Sequence, residues 1–287
     1  MNIIEAFMNV YMYELEKELQ KHKEKLSQIS FQSDEANTDR PLKEYLRDFI
    51  KMNFNKIPNN STINTISLGD KVQFTDTNIE LKSIKIDRVL LPEDITQDIK
   101  DELCKNRKSI FTNPDLCLEI NYKNNRYFQT IELKSTKNNS IPGSSIKQIK
   151  PEEWVIFIKH TSTTIEISTG QYINAINAKM EFPDRSPRPQ VSFSELQKWN
   201  IKNRKLNQNE LTYNIDDKYF KEELLYDWQK VLVDNWIDVL FDFEPTRNPT
   251  WFNNTLRKFI IEFLYKYDNL SENEKTKYKE NVKKNIK

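Results

Sequence analysis

Apolar residues at Ile4, Phe7, Met8, Tyr11, Leu15 and Leu19 recur at three-to-four spacing with charges between them. That spacing predicts an amphipathic helix over residues 1–28. A polar stretch from Gln28 to Arg40 follows, after which Asp39 is placed to cap a second helix. Pro41 suits its first turn, and Leu42, Tyr45, Leu46, Phe49 and Ile50 lie on one face. From residue 63 the period shortens. "VQF" and "IELKSIKIDRVLL" predict a strand pair over 63–91, with a strand at 79–90, and 93–108 a short polar helix.

"DLCLEIN" (115–121) and "RYFQTIELKST" (126–136) flank the turn 122–125 and predict a second antiparallel pair. After a loop and a short helix at 144–150, "EWVIFIKH" is a continuous apolar run, the signature of a central strand buried on both faces. "TTIEIS" predicts another strand, "GQYINAINAKM" a helix, and "FPDRSPRPQ" a proline-stiffened loop. Residues 218–243 and 250–267 carry aromatic-rich helical patterns, and the Lys-rich tail from Ser271 is expected to fray.

Composition narrows what these elements can do. Charged residues make up 30% of the 287 positions, yet acids and bases nearly cancel at a formal +1. That balance argues against disorder driven by net charge and against a simple basic coat for nucleic acid. The charge is unevenly spread, however: between Lys134 and Lys205 twelve Lys or Arg stand against six Asp or Glu. A polyanionic substrate would require such a region, and a solvated lysine-rich surface would also produce it. Two cysteines without a CxxC and only two histidines give poor support for a disulfide framework or a zinc site. The N-terminus carries acids where a signal peptide needs bases, and no apolar run approaches a membrane span, so the expectation is a cytoplasmic protein with no membrane partner.

The pentapeptide "IELKS" occurs twice, at 79–83 and at 131–135. On a strand, its Glu and Lys share one face, Glu80 with Lys82 and Glu132 with Lys134. Local spacing therefore cannot separate the copies; partner acids must. A metal-dependent phosphodiesterase needs two converging oxygen ligands and a cation near the attacking water. Only the second copy has them. Asp115, after Pro114, opens the preceding strand seventeen residues before Glu132, and a short hairpin brings the two together. Upstream of the first copy, Asp76 falls in a turn, and Asp70 would demand a tighter hairpin. Pro183-Asp184 with Asp216-Asp217-Lys218 repeats the residue types, but its D-x-K starts a helix.

The order N-P-D then E-L-K on adjacent strands resembles the PD-(D/E)xK nuclease superfamily, particularly Type II restriction endonucleases. The resemblance covers about residues 41–160, where helix, three antiparallel strands, helix and strand map onto 41–54, 79–90, 115–121, 126–136, 144–150 and 154–160. It implies an α/β (α+β) fold with a restriction-endonuclease-like core: a mixed central sheet flanked by helices, with additional N- and C-terminal helices. Domain organisation would be a single domain over 1–287, with recognition loops at 161–217 and a helical C-terminal part at 218–270. Asp115, Glu132 and Lys134 would be catalytic. Asp115, Glu132 and the Leu133 backbone carbonyl would hold Mg²⁺, joined by Glu44 on the first core helix. Glu119 is an alternative outer ligand.

The same resemblance implies sequence-specific hydrolysis of double-stranded DNA by a homodimer, paired with a DNA methyltransferase that protects the host. A repair nuclease, a junction resolvase or a non-catalytic DNA-binding protein with a degenerate nuclease core are the alternatives. Candidate DNA contacts are Lys137, Asn138, Asn139, Ser144, Ser145, Lys147 and Gln148 after the active strand, and Arg185 and Arg188 on the proline-stiffened loop. Asn and Gln can pair with adenine and Arg with guanine, while Lys and Ser suit phosphate.

Overall fold

The computed structural model describes residues 1–29, 40–74, 77–105, 111–144, 148–161, 164–181, 188–214, 221, 225, 227–241 and 251–286. These residues form a mixed α/β protein that divides into two compact units, Met1–Tyr226 and Asp227–Lys287.

Helix α1 (Ile3–Lys21) begins with a capping box in which Asn2 accepts from the Glu5 N–H and Glu5 accepts from the Asn2 N–H. It turns at His22 into the short α2 (Lys23–Ser27), so the continuous helix expected over 1–28 is broken once. Helix α3 (Arg40–Asn53) buries Leu42, Leu46, Phe49 and Ile50, the stripe its spacing demanded.

The chain then makes β1 (Thr65–Leu68), β2 (Lys71–Phe74), α4 (Thr77–Ser83), β3 (Lys85–Leu90), α5 (Gln97–Cys104), β4 (Leu116–Tyr122), β5 (Asn125–Thr136), β6 (Ser140–Pro142), β7 (Trp154–His160) and β8 (Ile165–Gln171). A single helical turn, α6 (Tyr172–Ala175), leads into β9 (Ile176–Glu181), β10 (Arg188–Ser192), α7 (Phe193–Asn203), β11 (Arg204–Asn207) and β12 (Glu210–Tyr213).

Five strands form the central sheet, in the order β3-β4-β5-β7-β8. All neighbours are antiparallel except β5 and β7, which run parallel and meet at Glu132↔Val155 and Lys134↔Phe157. Its two faces differ. Leu116, Leu118, Ile120, Ile131, Leu133, Trp154, Ile156 and Ile158 point to the side covered by α1 and α3 and form the main core. The opposite face carries Cys117, Thr130, Glu132, Lys134, Val155 and Phe157, and it is covered by α5 and α7. There Phe157 meets Phe193 edge-on at 5.6 Å, and Cys117 packs with Leu90, Ile95 and Ile99. Burial on both sides explains the uninterrupted apolar run of β7.

Four expectations are corrected. The first "IELKS" is a helix, α4, with only 85–90 left as strand. Leu81 inside α4 and Ile84 just after its last residue are both buried, a pair that strand alternation would place on opposite faces. The helix expected in "GQYINAINAKM" stops after one turn, because β10 offers Ile176–Glu181 a pairing partner. In the segment 161–217, expected as recognition loops around one strand and one helix, most of the described residues are in regular structure. Its β9 and β10 join β6 in a three-stranded sheet, while β11 and β12 join β1 and β2. Finally, the tail is helical: Ser271 and Glu274 form a capping box that starts a helix over Glu272–Asn285.

The second unit consists of α8 (Trp228–Phe241), α9 (Trp251–Asp268) and α10 (Glu272–Asn285). Phe263 and Tyr267 of α9 meet Tyr278 of α10 through ring contacts of 5.9 and 6.1 Å. Of the proposed 144–150 helix, residues 145–147 lie outside the described part, and the flanking described residues are not helical.

Candidate active site

Asp115 is the last residue before β4, and Glu132 and Lys134 sit in the C-terminal half of the longer β5. Because β4 begins at Leu116 opposite Ile131, the backbone of β5 beyond Ile131 has no β4 partner. Asp115 fills that gap: its Oδ2 accepts the Leu133 N–H at 2.8 Å. A side chain thus takes over a backbone hydrogen bond that the ladder has abandoned, which fixes the carboxylate beside β5. The N–H and C=O of one strand residue leave on the same edge, so the Leu133 carbonyl emerges on the Asp115 side.

Glu132 and Lys134 share the other direction of the pleat and are bonded to each other, Nζ to Oε1 at 2.6 Å. Both are largely buried. Burial pushes the Glu132 carboxyl up to about 7; Lys134 opposes this, while the charges of Asp115 and Glu153 add to it. Lys134 is itself raised: burial works against its charge, but Glu132, Tyr172 and Asp115 outweigh that penalty. The centre therefore carries an excess of negative charge, relieved by lysines.

Two further side chains complete the surroundings, and neither was singled out in the sequence. Glu153, buried just before β7, falls on the Glu132 face by the parallel register. Tyr172 is fully buried, accepts the Ser144 N–H at 3.2 Å, and lies close enough for Lys134 and Glu132 to act on its phenol. Glu153 stands next to a strand that looked purely apolar, and Tyr172 opens a segment that looked like an ordinary helix. A Pro-Glu-Glu ahead of a buried strand was the available signal for Glu153.

Of the other expected ligands, Glu44 is held by Arg40 at 2.7 Å, and Arg40 also reaches Glu93. The residue of α3 that touches the site is its neighbour Lys43, whose Nζ lies 2.7 Å from Asp115 Oδ1. Glu119 is paired with Arg88 and Arg126, at 3.4 and 3.6 Å, farther along β4. In the first "IELKS", Glu80 bonds Tyr122 and Lys123, and Lys82 donates to the carbonyls of Asn59 and Ser61. That copy has no share in the site.

Among the expected DNA contacts, Asn139 joins the site's flank to two elements. Its carbonyl accepts from Phe193 N–H and Ser192 Oγ, and its Oδ1 accepts from Lys159 Nζ at 2.8 Å. The Asn138 N–H donates to Thr136 Oγ1. Lys137 is exposed, Ser144 adjoins Tyr172, and Gln148 is half-buried. Arg188 opens β10. Ser145, Lys147 and Arg185, together with Pro183-Asp184 and Asp216-Asp217-Lys218, lie outside the described residues.

Among the described residues, no three His, Cys, Asp or Glu converge tightly enough to form a ready-made metal cage. The donor set nonetheless suits a hard divalent cation: the Asp115 carboxylate and the Leu133 carbonyl on one edge of β5, and the buried Glu132 carboxylate beside them, whose charge is unfavourable without compensation. No helix among the described residues is long and apolar enough to cross a membrane. Comparison with models of known protein families, with curated proteins and with solved structures finds no match to this chain.

The raised Glu132 carboxyl has a measurable consequence. An acid that holds its proton more tightly when folded contributes stability that is fully present below its unfolded value of 4.5. That contribution is lost as pH rises through about 7. Metal-free protein should therefore melt at a falling temperature across this window, and Glu132→Gln should flatten the profile. Thermal unfolding in chelator at several pH values checks this; identical slopes for both proteins would assign the dependence elsewhere.

Proposed function

We propose that the chain is a Mg²⁺-dependent deoxyribonuclease of the PD-(D/E)xK type that cleaves double-stranded DNA at specific sequences, as Type II restriction endonucleases do. One observation carries the reading: Asp115, bonded to the Leu133 backbone, lies at the strand position flanked by Glu132 and Lys134. The three residues of the motif thus come together at β5, the middle strand of the sheet, although Asp115 and Glu132 are seventeen positions apart. The order of α3, β3, β4, β5 and β7, with β5 and β7 parallel, is compatible with the same superfamily core.

Asp115, Glu132 and the Leu133 carbonyl would hold the cation. When bound, Mg²⁺ supplies a Lewis acid that polarises the phosphoryl oxygen and acidifies a water. Lys134, kept in its ammonium form, orients the attacking water and offsets the charge that develops on the phosphate. The water oxygen bonds to phosphorus and gives up a proton to solvent, the bond to the 3′ oxygen breaks, and that oxygen takes a proton from a second water. The products carry 5′-phosphate and 3′-hydroxyl ends. Asn139 and Ser144 tie the strand after the site to β10, α7 and Tyr172, and this frame suits the recognition of DNA. A palindromic site would be met by a twofold dimer, and a partner methyltransferase would protect host DNA.

Incubating the protein with unmethylated mixed-sequence plasmid and Mg²⁺, then sequencing the ends, tests the reading. Discrete fragments sharing one site are expected. Smears or cutting confined to junctions would instead indicate a repair nuclease or a resolvase. No cleavage with Mg²⁺ or Mn²⁺ would defeat the nuclease reading altogether.

A further inference from the structure

The contact between Lys43 and Asp115 has no place in the chemistry just described. Lys43 extends from α3, a different element from the strands that carry the motif, and its Nζ sits 2.7 Å from Asp115 Oδ1. Both side chains are mostly buried, at 15% and 9% exposure. The second oxygen of Asp115 is already occupied by the Leu133 N–H. Both oxygens of the leading ligand candidate are therefore engaged, one of them by a cation. The adjacent acid on the helix, Glu44, is turned to Arg40.

We propose that Lys43 is an internal counter-ion of the metal site: it occupies Asp115 in the metal-free chain, and a divalent cation binds by displacing it. The proposal rests on the reading of Asp115 as a metal ligand. An ammonium and a dication on one carboxylate oxygen repel each other strongly in a partly buried setting. One must retreat. The lysine can, because its charge rides on a flexible four-carbon stem anchored outside the sheet. Lys134 differs in this respect, since it sits two residues from Glu132 on the same strand. In the absence of metal, Lys43 supplies the charge without which a buried carboxylate would be costly.

Two effects of opposite sign follow. Removing the Lys43 charge should weaken the metal-free protein and strengthen metal binding. A merely structural lysine would give the first without the second. The experiment is isothermal titration of the full chain with Mn²⁺, comparing wild type, Lys43→Met, Lys43→Arg and Asp115→Asn, alongside thermal unfolding with and without the metal. Lys43→Met should bind Mn²⁺ about tenfold more tightly, or more. Lys43→Arg, which keeps the charge, should bind as wild type does. Metal-free Lys43→Met should melt lower and recover on adding Mn²⁺. If the methionine variant does not fold, Lys43→Gln serves for the same comparison. Equal or weaker binding by the neutral variant overturns the proposal while leaving the metal site standing. Binding by neither wild type nor neutral variant, or undiminished binding by Asp115→Asn, overturns the metal site itself and the proposal with it.

Discussion

Glu132→Ala and Lys134→Ala should each lower Mg²⁺-dependent DNA cleavage by about a thousandfold or more, while Glu80→Ala leaves it near wild type. The expected size is that of removing a group whose interaction is realised mainly in the transition state. Glu132 is the buried acid of the site, and Lys134 is bonded to it at 2.6 Å. Glu80, in the identical pentapeptide, is half-exposed on α4 and engages Tyr122 and Lys123. DNA binding, measured by mobility shift in Ca²⁺, should survive the substitutions at Glu132 and Lys134. Single-turnover cleavage of one plasmid substrate by the three variants decides the matter. Similar losses for Glu80→Ala and Glu132→Ala would sink the assignment of the site to the second copy.

Phe157→Ala should destabilise the first unit by about 3–5 kcal/mol, the range for emptying a fully buried aromatic site. Phe157 has no exposed surface, lies beside Lys134 in the parallel register, and meets Phe193 edge-on at 5.6 Å. The aromatic pair also clamps α7 to the sheet, and α7 contacts β7, β8 and β9. Collapse of the void is resisted by the sheet, because its strands are held on both sides by ladder bonds. A urea titration of the variant, followed by tryptophan fluorescence and circular dichroism, measures the loss. A drop below about 1 kcal/mol would show that this face of the sheet can repack freely, against the range expected for a rigid core. Cleavage by the variant at a temperature where it remains folded should also fall, since Lys134 is the neighbour of the void.

Several elements were legible in the chain because their signal is local. The α3 stripe, the hairpin of β4 and β5, and the continuous apolar run of β7 follow from periodicity and turn residues alone. So does the relation of Asp115 to Glu132, since a short turn at 122–125 fixes which residues of the two strands face each other. Other features were misread for reasons that are equally specific. The first "IELKS" fits a strand by alternation, yet it folds as a helix, with Leu81 and the residue after the helix, Ile84, both buried. The hairpin of β11 and β12 is polar and turns through Gln208 at positive φ, so neither period nor glycine announces it. The cap of α10 was legible as Ser271-x-x-Glu274 and was hidden only by the lysines around it.

The candidate site divides in the same way. Sequence by itself determined Asp115, Glu132 and Lys134 as a set, because strand alternation and one hairpin are enough to bring them together. Only the tertiary structure decided their company. Lys43 arrives from a helix seventy-two residues earlier, Glu153 through the parallel pairing of β5 with β7, and Tyr172 from the turn after β8. Those approaches depend on how helices and strands far apart in the chain pack against one another. No local pattern records that packing, and it also set which of two identical pentapeptides would be a strand with a buried, mutually bonded acid and base.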